Sequence, residues 1–407
     1  MEITNFYRYK KKWNIESENT IKPGLESIQK AMIKLGNPQN RHRVIHVAGT
    51  NGKGSTIAFL SALAKEHGLT YGSFTSPCII DVHDQIQING QNVTVEQMDR
   101  AFQKMQLAEL SGKLTNFELL TVTAFLVFEL EDLDVVFIEA GMGGRFDSTN
   151  IMENAIAVIP SISIDHTNFL GDTIEKISWH KAGILKESGK LVIGKLLEGA
   201  RNVIFQEANE KNTTVIEYTK DFKMNNHNYT YKNIQIANLY PQMIGTHQLS
   251  NMALALTAFI ECGFILEESS VRAAVQRASL RGRMEKVWDN VYFDGAHNEA
   301  SIDALVETMR IYFQDKQIHF IVGVLKDKDY LYMLRKLEDV GSSFEFVDFQ
   351  HERALSASEL LKHCSASQKH ITKDMEKIHF KKNDDSNITI VTGSLYFLTE
   401  VRRKTGK

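Results

Sequence analysis

Apolar residues along the chain alternate between two patterns. Short continuous runs bounded by glycine, proline or polar residues read as strands covered on both faces: RVIHVAG (43–49), LDVVFIEAGM (133–142) and NAIAVIPSISID (154–165). Between them lie longer segments with helical spacing. STIAFLSALAKEHG (55–68) reads as a helix that starts at Ser55 and ends at Gly68. TVEQMDRAFQKMQLAEL carries Thr94 and Gln97 at capping-box spacing. FELLTVTAFLVFELED (117–132) is apolar on most faces, which predicts a helix packed deep against a sheet. GDTIEKISWHKAGILK (171–186) returns to helix.

The stretch 212–240 is polar with short β-prone runs and predicts a small antiparallel or edge region. Two helices follow, HQLSNMALALTAFIECGF and ESSVRAAVQRASL. RGRMEKVWDN (281–290) then breaks the periodicity, a new strand starts at VYFDGAHN, and strand–helix alternation resumes through NITIVTGSLYFLTEVRR. The pattern predicts a doubly wound α/β fold with a domain boundary near 282–287.

Composition changes this picture little. The chain has 407 residues, enough for two or three domains, and a net charge of −3. That charge gives no reason to expect a nucleic-acid or membrane partner. Three scattered cysteines form neither a metal-ligand nor a redox pattern and suit a reducing cytoplasm. The N-terminal residues lack the apolar core of a secretory signal, and no run is apolar and long enough to span a membrane.

The chemistry begins at VIHVAGTNGKGS. Gly49, Gly52 and Gly54 let backbone N–H groups approach an anion, and the helix that follows presents its positive end to the same place. Lys53 supplies a point charge for two phosphates, and Ser55 and Thr56 offer hydroxyls to magnesium. Strand, loop and helix stand in the order of a phosphate cradle, although the usual pattern would place glycine at Val47 and Ser or Thr at 54. Ligands of an open parallel sheet sit beyond the strand ends. Ser76, Glu139, Asp165 and His166 all lie there and should converge with Gly49 on one edge. Oxygen donors such as Glu139 and Ser76 suit magnesium, whereas His166 suits a second ion or a water. Lys181, taken singly, reads as a solvated helical lysine.

The motifs HVAGTNGKGST, FTSP, VVFIEAGMGGRFDSTN, SIDHTNFLGDTIEKISWHKAGILK, GTHQLSNMALAL, GRMEKV, FDGAHN and IVTGSLYF occur in this order. Together they resemble the folylpolyglutamate synthase and dihydrofolate synthase family within the Mur ligase superfamily, from about residue 20 to the C-terminus. The resemblance implies an ATP-binding, P-loop-type central domain over 1–284 and a smaller Rossmann-like ligase domain over 285–407. It implies ATP-dependent addition of L-glutamate to a folate carboxylate through an acyl phosphate, with dihydropteroate as a further candidate acid.

Carried onto this chain, the resemblance makes Gly49, Thr50, Asn51, Gly52, Lys53, Gly54, Ser55 and Thr56 the ATP cradle. Ser76 and Glu139, with Ser55, become ligands of a first magnesium ion, and His166 of a second. Lys181 corresponds to a carbamylated lysine. Lys53, Glu139, His166 and Lys181 thus form the catalytic group. Asn251 and Arg283 match nucleotide contacts, and Asp294 and His297 match residues facing ATP from the second domain. Thr115, Asn116, Phe117 and Glu118, with Phe146, Asp147 and Ser148, match a pterin-side substrate wall; IKPGL (21–25) resembles an N-terminal substrate loop. Two positions depart from the family: Cys78 stands where histidine is frequent, and Gln85 where arginine is, both in the loop after Ser76. Murein-type amino-acid ligases share the phosphate loop but place a nucleotide-sugar domain first, and the 43 residues before Val44 are too few for one. A non-catalytic nucleotide-binding module would be expected to lack Lys53, Glu139 or Lys181. No heptad seam is visible, so a monomer is expected.

Overall fold

The computed structural model of the chain describes residues 5–20, 22, 24–378, 380 and 386–406. The chain forms two compact units, one of 1–242 with 249–278, the other of 243–248 with 279–407. The division at Ala278/Ser279 precedes the position expected from the sequence. The segment Met243–Gln248 belongs to the second unit, although it continues into the helix Thr246–Glu261.

In the first unit the strands are β1 (Val44–Val47), β2 (Tyr71–Phe74), β3 (Ile86–Ile88), β4 (Gln91–Asn92), β5 (Val135–Glu139), β6 (Ile156–Ile159), β7 (Lys190–Ile193) and β8 (Thr214–Glu217). They form one sheet in the order β4-β3-β2-β5-β1-β6-β7-β8. The six strands from β2 to β8 along that order pair in parallel, and β3 and β4 add an antiparallel edge. The phosphate-loop strand β1 is therefore central, with β5 and β6 beside it. The order runs outward in both directions from β1, and this reversal opens the crevice where α/β sheets hold ligands.

The apolar run after Thr115 becomes the helix Asn116–Glu129, whose residues 118–128 are all buried. An element apolar on every side has no solvent face to turn outward, and each large side chain so covered contributes roughly 1.5–3 kcal/mol. Its N-terminus closes with a capping box of Thr115 and Glu118, and the helix Val95–Leu107 closes with Thr94 and Gln97 as expected.

The polar stretch 212–240 divides in two. β8 joins the main sheet as its parallel edge, whereas β9 (Phe222–Asn225), β10 (Asn228–Tyr231) and β11 (Ile234–Ile236) form a separate antiparallel sheet. Tyr229 and Tyr231 on β10 reach the helix Thr246–Glu261, bonding Thr257 at 2.8 Å and Glu261 at 2.7 Å.

The second unit contains β12 (Glu285–Trp288), β13 (Val291–Phe293), β14 (Gln317–Val322), β15 (Ser343–Val347), β16 (Lys369–Thr372) and β17 (Asn387–Thr392). Their order is β12-β13-β17-β14-β15-β16, parallel except for the β12–β13 pair. Helices including Glu299–Tyr312 and Leu395–Thr405 cover this sheet, giving the smaller α/β domain the sequence predicts. Among the described residues no helix is long and apolar enough to cross a membrane.

Candidate active site

The loop after β1 turns at Gly52, whose φ is +88°, a conformation that favours glycine. Space demands glycine there as well. A Cβ on Gly52 would lie 2.5 Å from Asn251 Oδ1 and 2.9 Å from Pro160 Cβ, so the nucleotide-contact candidate Asn251 rests against the loop itself. The helix begins at Lys53, two residues earlier than the sequence suggests, and its first N–H groups face the turn. The loop is tied to the segment after β6: Thr50 N–H donates to Ser161 O at 2.9 Å, its hydroxyl to Ser163 O at 3.0 Å, and Asn51 N–H to Ser161 Oγ at 3.0 Å. That segment leads directly to Asp165 and His166.

Lys53 curls over the loop, donating to Gly49 O at 3.1 Å, and its ammonium lies 3.9 Å from Glu139 Oε1. Glu139 ends β5 and is 5 % exposed; its other oxygen accepts the Ser76 backbone N–H at 3.4 Å. Lys53, Glu139 and Ser76 therefore meet, as strand-end geometry requires. Ser55 is buried on the first turn of the helix. Thr56 donates its hydroxyl to Gly52 O at 2.8 Å, which ties this side chain to the loop. His166 takes a left-handed backbone (φ +52°) at the start of a short helical turn and stands 3.9 Å from Asp165; its side chain is half exposed.

The expectation of a solvated Lys181 is overturned. This residue is 3 % exposed in the helix Ile174–Ala182. Burial pushes its ammonium down to about 7; the Lys53 charge acts the same way, against Asp165 and Asp147. Helical spacing alone did not reveal this because the helix packs against both the Arg145 loop and the helix Glu198–Glu210: Arg145 N–H donates to His180 O at 2.7 Å, and Gly183 leaves no room for a Cβ beside Arg145.

On the other side of the same strand ends, Gly141 separates Phe117 from Asp147. A Cβ there would lie 2.6 Å from the Phe117 ring and 3.2 Å from Asp147 Oδ2. Ser148 Oγ bonds Thr121 Oγ1 at 2.8 Å on the same helix as Phe117. Phe117, Asp147 and Ser148 are thus brought together with the N-cap Thr115. Three other residues of the expected wall have further engagements. Glu118 accepts the Thr115 N–H at 2.8 Å; Asn116 accepts from Lys10 and Ser17; Phe146 turns onto Trp179 and His180. Of the N-terminal substrate loop, Ile21 and Pro23 lie outside the described residues.

The loop carrying the two departures is held at both ends. Gln85 Nε2 donates to Thr75 O at 3.2 Å while Thr75 N–H donates to Gln85 O at 2.9 Å, which fixes the residue before Ser76. Further along, Tyr9 OH bonds His83 Nε2 at 2.7 Å, and His83 Nδ1 bonds Asp81 at 2.9 Å.

Within the second unit, Asp294 directly follows β13 and accepts N–H groups from Met284 at 2.9 Å and Ala296 at 3.0 Å. Burial raises its carboxyl, opposed by the Arg283 charge. His297 bonds Gly295 O at 2.8 Å, and a Cβ on Gly295 would lie 3.2 Å from the Arg283 guanidinium. Arg283, Asp294 and His297 form one group, to which the sequence reading did not assign His247. Burial and Arg283 push that imidazole down to about 4. Asp165 was seen only as a strand-end residue; its nearness to Lys181 became visible in three dimensions.

The residues offer hard oxygen donors for a divalent cation at Glu139 and Ser76. Among the described residues, no three His, Cys, Asp or Glu side chains form a closed metal cage. That donor set fits magnesium, which keeps several waters and is held by one or two carboxylates together with substrate phosphates.

Residues 47–259 match the Mur ligase middle domain and residues 278–404 the dihydrofolate synthetase C-terminal domain. The chain is 36% identical to a Bacillus subtilis dihydrofolate synthase/folylpolyglutamate synthase, covering 94% of this chain and 95% of that protein. It is 31% identical to the Lacticaseibacillus casei folylpolyglutamate synthase, covering 91% of each. Among solved structures, E. coli FolC in complex with DHPP and ADP superposes with a TM-score of 0.89 at 27% identity, covering 98% of this chain and 97% of that one. A bifunctional folylpolyglutamate synthase/dihydrofolate synthase with Mn, AMPPNP and L-glutamate bound superposes with a TM-score of 0.85 at 27% identity, covering 96% of each chain.

Proposed function

The chain belongs to the dihydrofolate synthase/folylpolyglutamate synthase family, ATP-dependent ligases of the Mur ligase type, and on that premise we propose how its own residues join L-glutamate to a folate carboxylate. The observation that carries the assignment of roles is the 3.9 Å approach of Lys53 to Glu139 at the mouth of the Gly52 turn.

The reaction has two steps. A carboxylate oxygen of the folate attacks the γ-phosphorus of ATP; the O–P bond forms as the bond to the β–γ bridging oxygen breaks, and ADP leaves. The unprotonated amine of glutamate then attacks the acyl carbon. The C–N bond forms, phosphate departs with the C–O electron pair, and the nitrogen loses a proton. Both steps require anions to meet, so the largest contribution expected of the protein is positive charge and oriented dipoles already in place.

The Lys53 side chain and the N–H groups of Gly52, Lys53 and Gly54 take the β- and γ-phosphates, with Asn251 against the turn. Glu139 and Ser76 are the residues to hold a first magnesium ion, with Ser55 near it, and His166 the residue for a second. Bound there, the ions would neutralise charge on the phosphates as it shifts toward the leaving oxygen. Phe117, Asp147, Ser148 and Thr115 receive the pterin side of the folate. Arg283, Asp294 and His297, grouped within the second unit, are assigned to nucleotide binding.

Lys181 is assigned a carbamate. Its neutral amine attacks carbon dioxide; the N–C bond forms, one C=O π pair moves onto oxygen, and a proton is released. Burial and the Lys53 charge keep the amine neutral and reactive, and the same Lys53 charge favours an anion beside it, which is what supports the assignment. We assign a monomer working in the cytoplasm, with no nucleic-acid or membrane partner.

The test is phosphate release from ATP and glutamate with dihydropteroate, with tetrahydrofolate, with a muramyl substrate, and with no acid. Stimulation by either pterin compound is expected. Stimulation by the muramyl substrate alone would overturn the reading.

A further inference from the structure

His46 is a histidine in the middle of β1, fully buried, among residues that are otherwise apolar. Nothing in the proposed chemistry uses it. Its Nε2 lies 2.9 Å from Thr149 Oγ1, and that hydroxyl donates to Asp147 Oδ1 at 2.6 Å. The three side chains form a line from the strand that feeds the phosphate loop to the carboxylate beside Phe117.

The direction of the hydrogens follows from the donors. Asp147 Oδ1 also accepts the Thr149 N–H at 3.1 Å, and Oδ2 accepts the Met142 N–H at 2.7 Å. With N–H donors aimed at both oxygens, the carboxylate form is the one these contacts fit, although burial pushes Asp147 upward. The single hydroxyl proton of Thr149 therefore goes to Asp147, and His46 must supply the other hydrogen from Nε2. The opposite ring atom, Nδ1, is buried without a hydrogen-bond partner. In this tautomer it is a bare acceptor, less costly than an orphaned N–H. A charged imidazole is excluded in so buried a place, where its value falls to about 3.

We propose that His46 is a positioning residue for the folate substrate: through Thr149 it holds the Asp147 carboxylate in one orientation, so that the phosphate-loop strand and the pterin-side wall are set by one another. This rests on the reading that Asp147 belongs to that wall. The consequence is a selective one. Loss of the line should loosen Asp147 and leave the Gly52 turn and Lys53 in place.

The experiment compares His46→Leu, His46→Gln, Thr149→Val, Asp147→Asn and the double variant His46→Leu/Thr149→Val by steady-state kinetics and thermal melting. His46→Leu and Thr149→Val should each raise KM for the pterin substrate about tenfold, the weight of a hydrogen bond to a charged group, with KM for ATP unchanged. The double variant should add little to either single one, because one line is cut only once. His46→Gln, whose amide nitrogen can reach the Nε2 position, should recover most of the loss. Equal changes in both KM values with additive losses of melting temperature would make His46 a structural residue and overturn the proposal. Thr149→Ser, which keeps the hydroxyl, guards against misfolding of the valine variant: it should behave as the parent enzyme, and a raised pterin KM in it counts against the line. Should Asp147→Asn leave the pterin KM unaltered, the wall reading falls. Should Asp147→Asn raise it while His46→Leu and Thr149→Val do not, only the positioning proposal falls.

Discussion

The Lys53 ammonium and the Glu139 carboxylate stand 3.9 Å apart, too far for a full hydrogen bond and near enough for each to hold the other in place. Lys53→Ala removes the charge that would meet the phosphates, and turnover should fall roughly 10²–10³-fold. The Lys53 side chain lies over the loop and belongs to none of the apolar core clusters, so a single cooperative melting transition should persist. Phosphate release and calorimetry on the same preparation check both parts; loss of cooperative melting would make the lysine structural.

The Gly52 turn predicts a steric failure. Gly52→Ala places a Cβ 2.5 Å from Asn251 Oδ1 and asks a chiral residue to adopt φ +88°, which costs about 1–2 kcal/mol in backbone terms alone. ATP affinity should drop about tenfold or more, and calorimetric titration with a non-hydrolysable analogue measures it.

Lys181 predicts a dependence on pH and on dissolved carbon dioxide. With its ammonium pushed down to about 7, the amine is mostly neutral above that pH and mostly charged below it. Only the neutral form reacts with carbon dioxide, so carbamate and activity should rise as pH increases through 7. Degassed, bicarbonate-free enzyme should lose activity and regain it on adding bicarbonate. Lys181→Ala should stay inactive with bicarbonate, and short exogenous carboxylates should restore part of its turnover. A carbamate signal from ¹³C-labelled carbon dioxide, absent in the alanine variant, is the direct observation; full activity of that variant would remove Lys181 from the mechanism.

Glu261 makes a separate prediction about stability. Burial raises its carboxyl, but Lys190, Lys232 and Tyr231, each 2.7 Å away, outweigh that and hold it at about 2. A carboxylate depressed in the folded state stabilises it above the unfolded value and loses that contribution as pH falls through the folded one. Glu261→Gln should therefore cost on the order of 2 kcal/mol at pH 7, and the gap to the parent should narrow below about pH 4.5. Urea melts at pH 7 and pH 3.5 give the comparison.

What could be read from the chain follows from distance along it. The phosphate loop was legible because strand, glycines, lysine and helix are contiguous, and the strand-end rule placed Ser76 and Glu139 beside it. Taken singly, Lys181 looked solvated, and only the resemblance pointed the other way, because solvation is decided by what packs on a helix, here Arg145 and a second helix far away in sequence. His46 was passed over because a single polar residue inside VIHV has meaning only once Thr149 stands across from it. Glu118 illustrates the reverse: TNFE carries a family signature, yet its spacing also spells a capping box, and the carboxylate does close the helix. The stretch holding β8 was legible as β-prone and edge-like, but its parallel pairing with the main sheet was not, since an edge strand has few apolar residues to announce which sheet it joins.

The bond of Tyr9 to His83, whose ring is held in turn by Asp81, joins the amino-terminal helix to the stretch that begins at Ser76 through side chains. Such a buckle can come undone while every ladder of the sheet stays whole. Substitution at these positions would therefore free the amino-terminal helix from that stretch and leave the strand pairing of the sheet untouched.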